Sequence, residues 1–328
     1  MYFTGSKAHN VKLRERAQKK KLRLNEYGLF KEDGHETPPQ DRGLKPIAGR
    51  TEEEVYKALG LPYIPPELRE DRGEIAIAEQ NKLPELITID DIKAELHAHT
   101  IASDGSLTIE ELANEAKRRG FHTIAVTDHS KASAQANGLS PERLVAHINA
   151  IREAQTRIKG ITILAGSEVD ILADGHLDYD DKLLPKHDIV IASPHSALKQ
   201  APDVATKRLL AAIRHPLVHI LGHPTGRIIN RREGLSPDIH QLIDAAVKHN
   251  TALEINSHHL RLDLRDVHVK AAVDAGCLIA IDTDAHGRED FDELRYGILT
   301  ARRGWLTAAG CVNTWPKDKL HKWLKSKR

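Results

Sequence analysis

Histidine is unusually abundant in this sequence, and histidine is the side chain that most often binds transition metals. The chain contains 20 His in 328 residues, about three times the roughly 2% that is usual for soluble proteins. The histidines are dispersed, so they are not a purification tag. Cys277 and Cys311 are the only cysteines, too few for a disulfide framework or a Cys-based zinc site. Any metal must therefore be held by imidazole and carboxylate.

Nine residues stand out as candidate metal ligands because each lies at or just after the end of a short apolar run. A lone His in such a place is more often a loop residue, but nine together favour a metal centre. One ion takes four or five ligands, so nine predict two or three divalent ions, with Glu168 and Asp284 as bridges. The candidates are His97, His99, Asp104, His129, Glu168, His195, His223, Asp284 and His286.

Six imidazoles and three carboxylates favour Zn²⁺ or Mn²⁺, with Fe²⁺ as a further candidate, over Mg²⁺ and Ca²⁺, which prefer oxygen ligands. Such a centre is suited to phosphoester hydrolysis: the ions acidify water to hydroxide, which attacks phosphorus in line, and they stabilise the leaving oxygen. The predicted catalytic group is therefore a hydroxide held by the metal ligands. No protein nucleophile is needed.

Candidate substrate contacts follow the second and sixth apolar runs. Lys131 and Arg261 are candidate phosphate contacts, although they could equally be solvated loop charges. The full set is Ser130, Lys131, Asn137, Asn256, His258 and Arg261, with Asp263 on the same loops.

The elements that must position these residues alternate along the chain from residue 93 onward. Seven β-branched apolar runs indicate strands, and the amphipathic stretches between them indicate helices. Strands buried on both faces and alternating with helices predict a parallel sheet, and seven units favour an α/β fold of the closed (βα) barrel type. The carboxyl ends of barrel strands meet at one mouth. The predicted strands are 94–97, 123–127, 162–168, 188–193, 218–222, 252–256 and 278–282.

The predicted helices have recognisable ends. Ser140 before Pro141 and Ser236 before Pro237 predict helix starts, and a Gly ends several of the helices. The predicted helices are 108–119, 141–159, 204–213, 237–249, 266–275 and 292–303.

Residues 1–92 have a different pattern and predict a small α+β appendage. They contain a basic helix at 10–21, a turn-rich region, an acidic helix at 51–59 and a proline-rich stretch at 61–66. We therefore expect an appended unit over 1–73, a linker over 74–92 and the barrel over 93–328.

Charge is concentrated at the two ends of the chain, although the net charge is only +1. Residues 7–24 carry eight Lys or Arg against Glu15 alone, and residues 317–328 carry six against Asp318. Basic ends favour contact with a polyanion, but they could also be solvated helix faces. The N-terminus has no apolar stretch and no run approaches a membrane span, so we expect a cytoplasmic protein without a membrane partner.

The candidate ligands lie in motifs that resemble those of the PHP (polymerase and histidinol phosphatase) family over about residues 93–310. The resemblance implies a distorted (βα)₇ barrel, similar to a TIM barrel, with a trinuclear metal centre held by the nine residues named above. The motifs are His97-Ala98-His99-Thr100, Ser103-Asp104-Gly105, Thr127-Asp128-His129-Ser130, Gly166-Ser167-Glu168, Ser193-Pro194-His195, Gly222-His223-Pro224 and Thr283-Asp284-Ala285-His286.

The N-terminal part resembles the end of the palm and the thumb of family X DNA polymerases. Residues 2–6, Asn10 and residues 25–30 carry this resemblance. Residues 61–69 resemble the passage into the PHP domain of bacterial and archaeal members. The resemblance implies a 3′–5′ exonuclease or a phosphodiesterase at damaged or abasic DNA ends in DNA repair, typically with Mn²⁺. The implied partner is DNA, as single strands or 3′ ends.

Polymerase activity is not expected from this chain alone, because the segments with the polymerase carboxylates would precede residue 1. A separate palm chain is a candidate partner. Two other functions stay open: a small-molecule phosphomonoesterase of the histidinol-phosphatase kind, and a non-catalytic module associated with a polymerase. Amidohydrolase barrels also begin with His-x-His, but the positions of Glu168 and of 222–224 fit the PHP family better.

Overall fold

The computed structural model describes residues 1–327, and the chain divides into two compact units, Met1–Glu85 and Leu86–Arg328. Arg328 lies outside the described residues, so the predicted basic tail is described as far as Lys327. Within residues 1–327, none of the helices combines the length and the apolar character that a membrane crossing requires.

The first unit is a small α+β arrangement. Ser6 caps its first helix by accepting a hydrogen bond from the His9 amide, so the helix begins three residues before the predicted start. Thr51 caps the acidic helix by accepting a hydrogen bond from the Glu54 amide. A two-stranded antiparallel hairpin follows the first helix, which the sequence analysis does not predict. The elements are α1 (Lys7–Lys19), β1 (Leu22–Asn25), β2 (Gly28–Lys31), α2 (Glu52–Ala58) and α3 (Glu74–Glu79).

Buried ion pairs hold the first unit together. The side chain of Arg69 is fully buried and donates to Glu52 Oε2 at 2.6 Å and to the Ile64 carbonyl at 2.8 Å. His9 contacts the buried Glu74 carboxylate at 2.5 Å and the Tyr56 hydroxyl at 2.9 Å. A buried charge is tolerated only when it is paired, so these contacts define how the helices of this unit pack.

The second unit is the expected (βα)₇ barrel. Its seven strands are all parallel and are hydrogen-bonded in chain order. Nearly every strand residue is buried, because the sheet is covered by helices outside and by its own side chains inside. The strands are β3 (Ala94–Glu95), β4 (Thr123–Val126), β5 (Thr162–Asp170), β6 (Ile189–Ser193), β7 (Ile220–Leu221), β8 (Ala252–Asn256) and β9 (Ile279–Asp282).

Six of the barrel helices were predicted, and three of them start two residues away from the predicted position. The helix Pro202–Arg214 starts before its predicted start at 204, and the helix Lys317–Lys325 was not predicted. The predicted start at Ser236 and Pro237 is wrong, because Asp238 is the cap and accepts from the Gln241 amide. A 3₁₀ turn over Glu289–Glu293 replaces the predicted start of the last barrel helix. The helices are α4 (Ile109–Arg118), α5 (Pro141–Arg157), α6 (Pro202–Arg214), α7 (Ile239–His249), α8 (Asp266–Asp274), α9 (Leu294–Arg303) and α10 (Lys317–Lys325).

The first and last strands are joined mainly by side chains. Beyond the strands, the His99 amide donates to the Ala285 carbonyl at 2.8 Å. Asn313, from the segment before α10, is fully buried; its amide donates to the Ala94 carbonyl on β3 and to Asp282 Oδ1 on β9, at 3.1 and 2.7 Å. Its Oδ1 accepts from the Ile281 amide at 2.8 Å. The Asn313 side chain therefore links the two edges of the barrel.

We predict that Asn313→Ala destabilises the barrel by about 2–4 kcal/mol, because it removes three hydrogen bonds from buried polar groups. Urea unfolding followed by the fluorescence of Trp315 and Trp323 measures this change. Asn149→Ala, at an exposed position of α5, is the matched control and should change the free energy of unfolding by less than about 0.5 kcal/mol. Equal stability of the two variants would contradict the role of Asn313 in closure.

Candidate metal centre

The carboxyl ends of the barrel strands bring all nine candidate ligands to one mouth. Within residues 1–327, three overlapping groups place one donor atom of each member within 4.8 Å of the others. His223 lies beside them, with Nε2 2.7 Å from Glu168 Oε1. The groups are His99, Asp104, His129 and His286; His97, His99, Glu168 and Asp284; and His129, Glu168 and His195.

Glu168 lies at the centre of this cluster and is fully buried. Its Oε1 is 3.2 Å from His195 Nε2 and 2.7 Å from His223 Nε2, and its Oε2 is 2.9 Å from His129 Nδ1. Asp284 Oδ1 is 3.0 Å from His99 Nε2. A carboxylate that faces several imidazoles has the arrangement of a bridging metal ligand.

The donor atoms fit metal ions better than they fit one another. His129 Nδ1 and Glu168 Oε2 are 2.9 Å apart, yet neither atom has a hydrogen-bond partner. Buried polar groups are almost always hydrogen-bonded, so this concentration of unpaired atoms indicates a site for cations. The buried, unpaired donor atoms are His97 Nε2, both ring nitrogens of His99, His129 Nδ1, His195 Nε2, His223 Nδ1, Glu168 Oε2 and Asp284 Oδ1.

The carboxylates raise the pKa of several imidazoles in the metal-free protein. Burial disfavours the charged ring of His129, but Glu168 and Asp104 outweigh it and raise its pKa to about 10. The same balance raises the pKa of His195 and of His286 to about 9 each. Without ions, protonated imidazoles neutralise the carboxylates, so a binding ion must displace the protons from these imidazoles.

Two other imidazoles are held neutral. Burial, together with the charges of His129 and His286, lowers the pKa of His99 to about 4. Burial and the charge of Arg261 lower the pKa of His223 to about 3. Neutral imidazole is the form that binds metals.

Carboxylates behind the ligands orient them, and the sequence analysis assigned no role to these groups. Glu254 Oε1 lies 2.6 Å from His97 Nδ1, and Asp170 Oδ1 lies 3.1 Å from His195 Nδ1. Such partners fix the tautomer of a metal-binding His and raise its basicity. Asp170 could have been found from its spacing, because it lies two residues after Glu168 on the same strand.

Three of the candidate substrate contacts hydrogen-bond within the protein. The Ser130 hydroxyl donates to Asp170 Oδ2 at 3.2 Å. The Asn137 amide donates to the carbonyls of Ala102 and Ser103, both at 3.2 Å. The Asn256 amide donates to Asp284 Oδ2 at 2.9 Å.

The other candidate contacts are closer to solvent. Lys131 is exposed. His258 and Arg261 line a cavity that also contacts Asp284 and His286, and Arg261 Nε is 3.7 Å from Asp284 Oδ2. Asp263 is buried and hydrogen-bonds with Thr225. Arg261 thus lies beside the candidate ligands Asp284 and His286.

Comparisons with known proteins match both units. The DNA polymerase beta thumb family model matches residues 1–70, and the PHP domain model matches residues 95–258. The Bacillus subtilis (strain 168) DNA polymerase/3′-5′ exonuclease PolX is 41% identical over 326 residues, 99% of this chain and 55% of that protein. This chain therefore spans about half the length of that relative.

Smaller proteins match the barrel unit. A probable phosphatase of Caldanaerobacter subterraneus subsp. tengcongensis is 32% identical over 243 residues, 71% of this chain and 91% of that protein. A solved structure from Listeria monocytogenes, described as a candidate histidinol phosphatase, superposes with a TM-score of 0.50 at 15% identity, covering 60% of this chain and 97% of the other. That likeness shows the same fold.

We predict that Asp170→Asn weakens Zn²⁺ binding by about 10–100-fold, because His195 loses the carboxylate that orients it. Titration calorimetry of the metal-free variant measures the affinity. Asp174→Asn, at an exposed position of the loop that follows β5, is the matched control and should bind Zn²⁺ as the unchanged protein does. Unchanged affinity in the Asp170 variant would refute its positioning role.

A second prediction concerns pH. The pKa values of His129, His195 and His286 are raised to about 10, 9 and 9 from an ordinary value of 6.5. Their pairing with carboxylates therefore stabilises the metal-free protein fully below pH 6.5 and is lost as the pH rises through 9–10. Bound ions replace those protons, so the increase in melting temperature caused by added Mn²⁺ should be larger at pH 8.5 than at pH 6. Scanning calorimetry with chelator or with Mn²⁺ measures the melting temperature at both pH values. An equal increase at the two pH values would contradict the prediction.

Proposed function

The chain belongs to the PHP domain family, and from that membership we propose that its barrel is a metal-dependent phosphoesterase that cleaves DNA from the 3′ end. The observation that carries the proposal is the group of buried, unpaired imidazole and carboxylate atoms around Glu168. A set of six imidazoles and three carboxylates is larger than one ion requires. We propose two or three divalent ions, Mn²⁺ or Zn²⁺, with Fe²⁺ as a further candidate.

In this proposal all nine clustered residues would hold the ions, with Glu168 and Asp284 as the carboxylates that would be shared between them. When bound, the ions supply Lewis acidity toward water and toward the leaving oxygen of the phosphoester. The protein supplies orientation: Glu254 holds the His97 ring and Asp170 holds the His195 ring. Arg261, beside Asp284 and about one-fifth exposed, would contact a non-bridging phosphate oxygen.

DNA is the proposed substrate because of the first unit. Residues 1–70 match a polymerase thumb model, and the PolX relative is described as a 3′-5′ exonuclease. Helix α1 buries Leu13 and Ala17 and leaves Lys7, Lys12 and Lys19 exposed. Exposed cations on a helix are suited to contact with a phosphate backbone. A role in DNA repair and a cytoplasmic location belong to the same proposal.

We propose that residues 1–73 are a thumb-like unit, that 74–92 connect it to the barrel, and that 93–328 form the phosphoesterase. Helix α3, within the connecting segment, packs on the first unit through Glu74 and His9. A separate palm chain is the proposed protein partner, because residues 1–70 match a polymerase thumb model.

A small-molecule phosphomonoesterase is the second candidate function. It is favoured by the probable phosphatases, which this chain matches over more than nine-tenths of their length at 30–32% identity. The same metal centre would serve either substrate, so the activities on the two substrates must be measured to distinguish the two functions.

We predict that Glu168→Gln lowers hydrolysis of a 3′-labelled single-stranded oligonucleotide by about a thousandfold, which corresponds to ~4 kcal/mol of transition-state stabilisation. Glu153→Gln, at an exposed position of α5, is the control and should keep full activity. Circular dichroism checks that both variants are folded.

The same assay separates the candidate functions. With Mn²⁺ or Zn²⁺, kcat/KM should be higher for the oligonucleotide than for p-nitrophenyl phosphate. Hydrolysis of the aryl phosphate alone would establish the phosphomonoesterase. Hydrolysis of neither substrate by metal-loaded protein would establish a non-catalytic module.

A further inference from the structure

An arginine-lined groove lies on the barrel beside the metal centre. Its cavity of about 780 Å³ is formed by the loop between β7 and α7 and by the start of α8. The acidic residue in its lining is Glu233. Its basic residues are Arg227, Arg231, Arg232, Arg265 and His268.

The groove adjoins the mouth of the barrel. A second cavity, of about 290 Å³, contacts the candidate ligands Asp284 and His286 and also Arg261. The two cavities share Ile228 and Arg231. Arg231 therefore lies at the junction between the metal centre and the groove.

The groove has a fixed shape because its loop is tied to the loop that carries Arg261. The buried Asp263 carboxylate accepts from the Thr225 amide at 2.9 Å and from the Gly226 amide at 3.0 Å. The Ile229 amide donates to the Leu260 carbonyl at 2.6 Å. A pre-formed cationic surface binds an anion without first having to order a loop.

Two of the groove's guanidinium groups are available to a ligand. Arg232 donates to the Gly226 carbonyl, and Arg227 donates to the Arg261 carbonyl. Arg231 and Arg265 are exposed, and within residues 1–327 their side chains form neither a hydrogen bond nor an ion pair. Burial and then the charge of Arg265 lower the pKa of His268 to about 4, which agrees with a positive potential in the groove.

The lining also indicates which kind of anion fits. The groove is larger than a single phosphate requires, and within residues 1–327 none of the nine candidate ligands lines it. None of the described residues in its lining is Phe, Tyr or Trp, so it has no platform for stacked bases. Guanidinium groups without aromatic partners contact the sugar-phosphate backbone irrespective of base sequence.

We propose that this groove binds the DNA strand on the 5′ side of the scissile phosphodiester, with Arg231 and Arg265 contacting backbone phosphates. The proposal rests on the proposed exonuclease function and adds the path of the substrate. The 3′-terminal nucleotide would lie at the ions, and the remainder of the strand would pass Arg231 into the groove.

The test compares Arg231→Gln/Arg265→Gln with the unchanged protein on a 3′-labelled 12-nucleotide strand and on thymidine 5′-p-nitrophenyl phosphate, which has one phosphodiester. We expect kcat/KM on the strand to fall about tenfold more than on the small substrate, and the slope of log(kcat/KM) against log[salt] to become shallower by about 1.4 for two lost contacts.

The double variant Arg231→Lys/Arg265→Lys, which keeps the charges, should recover most of the loss. Lys159→Gln/Lys248→Gln removes two exposed charges elsewhere and should leave both activities unchanged.

The outcomes distinguish failure of the groove proposal from failure of the proposed function on which it rests. An equal loss on both substrates, or no loss on the strand, would overturn the groove proposal while the phosphoesterase stands. If the unchanged protein with Mn²⁺ or Zn²⁺ cleaves neither substrate, the proposed function itself fails. A large loss on the strand with an unchanged salt slope would mean that the arginines do not contact phosphates.

Discussion

The complete burial of the Glu168 carboxylate is the constraint on which the rest of the barrel depends. A carboxylate without water is very costly unless cations or hydrogen-bond donors surround it. Here the neighbours are imidazoles that follow β3, β4, β6 and β7, so four strands must end at the same height for the charge to be compensated. The ligands are therefore held by the barrel as a whole, and no local segment can form the site by itself.

The polar groups behind the ligands connect the site to the closure of the barrel. Asp282 on β9 accepts from the Leu96 amide and from Asn313. Glu254, one strand away, accepts from both His97 and the His223 amide. The groups that join the barrel ends and those that orient the ligands thus form adjoining layers. Distortion of the closure should reach the metal centre through these contacts.

The two units use buried charge in opposite ways. In the first unit, Arg69 and Glu52, and His9 and Glu74, are paired directly, so the charges are satisfied and serve packing. In the barrel, imidazoles and carboxylates lie close together, yet many of their atoms remain unpaired. This difference separates a structural ion pair from a site that is prepared for cations.

The barrel was predictable from the sequence because its signals are local. Apolar runs separated by amphipathic stretches indicate the seven strands, and caps such as Thr108 and Ser140 indicate helix starts. The start at Asp238 was missed because Ser236-Pro237 is an equally good local signal, and packing decides between the two. The candidate ligands could be named because the end of each apolar run can be located in the sequence, and because His, Asp and Glu are distinctive at those positions.

The tertiary structure alone decided the features that depend on contacts between residues far apart in the sequence. Glu254 acquires a role because it faces His97 across strands. Arg231 and Arg265 share a groove although 34 positions separate them in the chain. Local periodicity determines which elements form and which residues end them. The neighbours of a side chain across the barrel are determined only when all seven strands close, and that contact information is not present in any short stretch of the sequence.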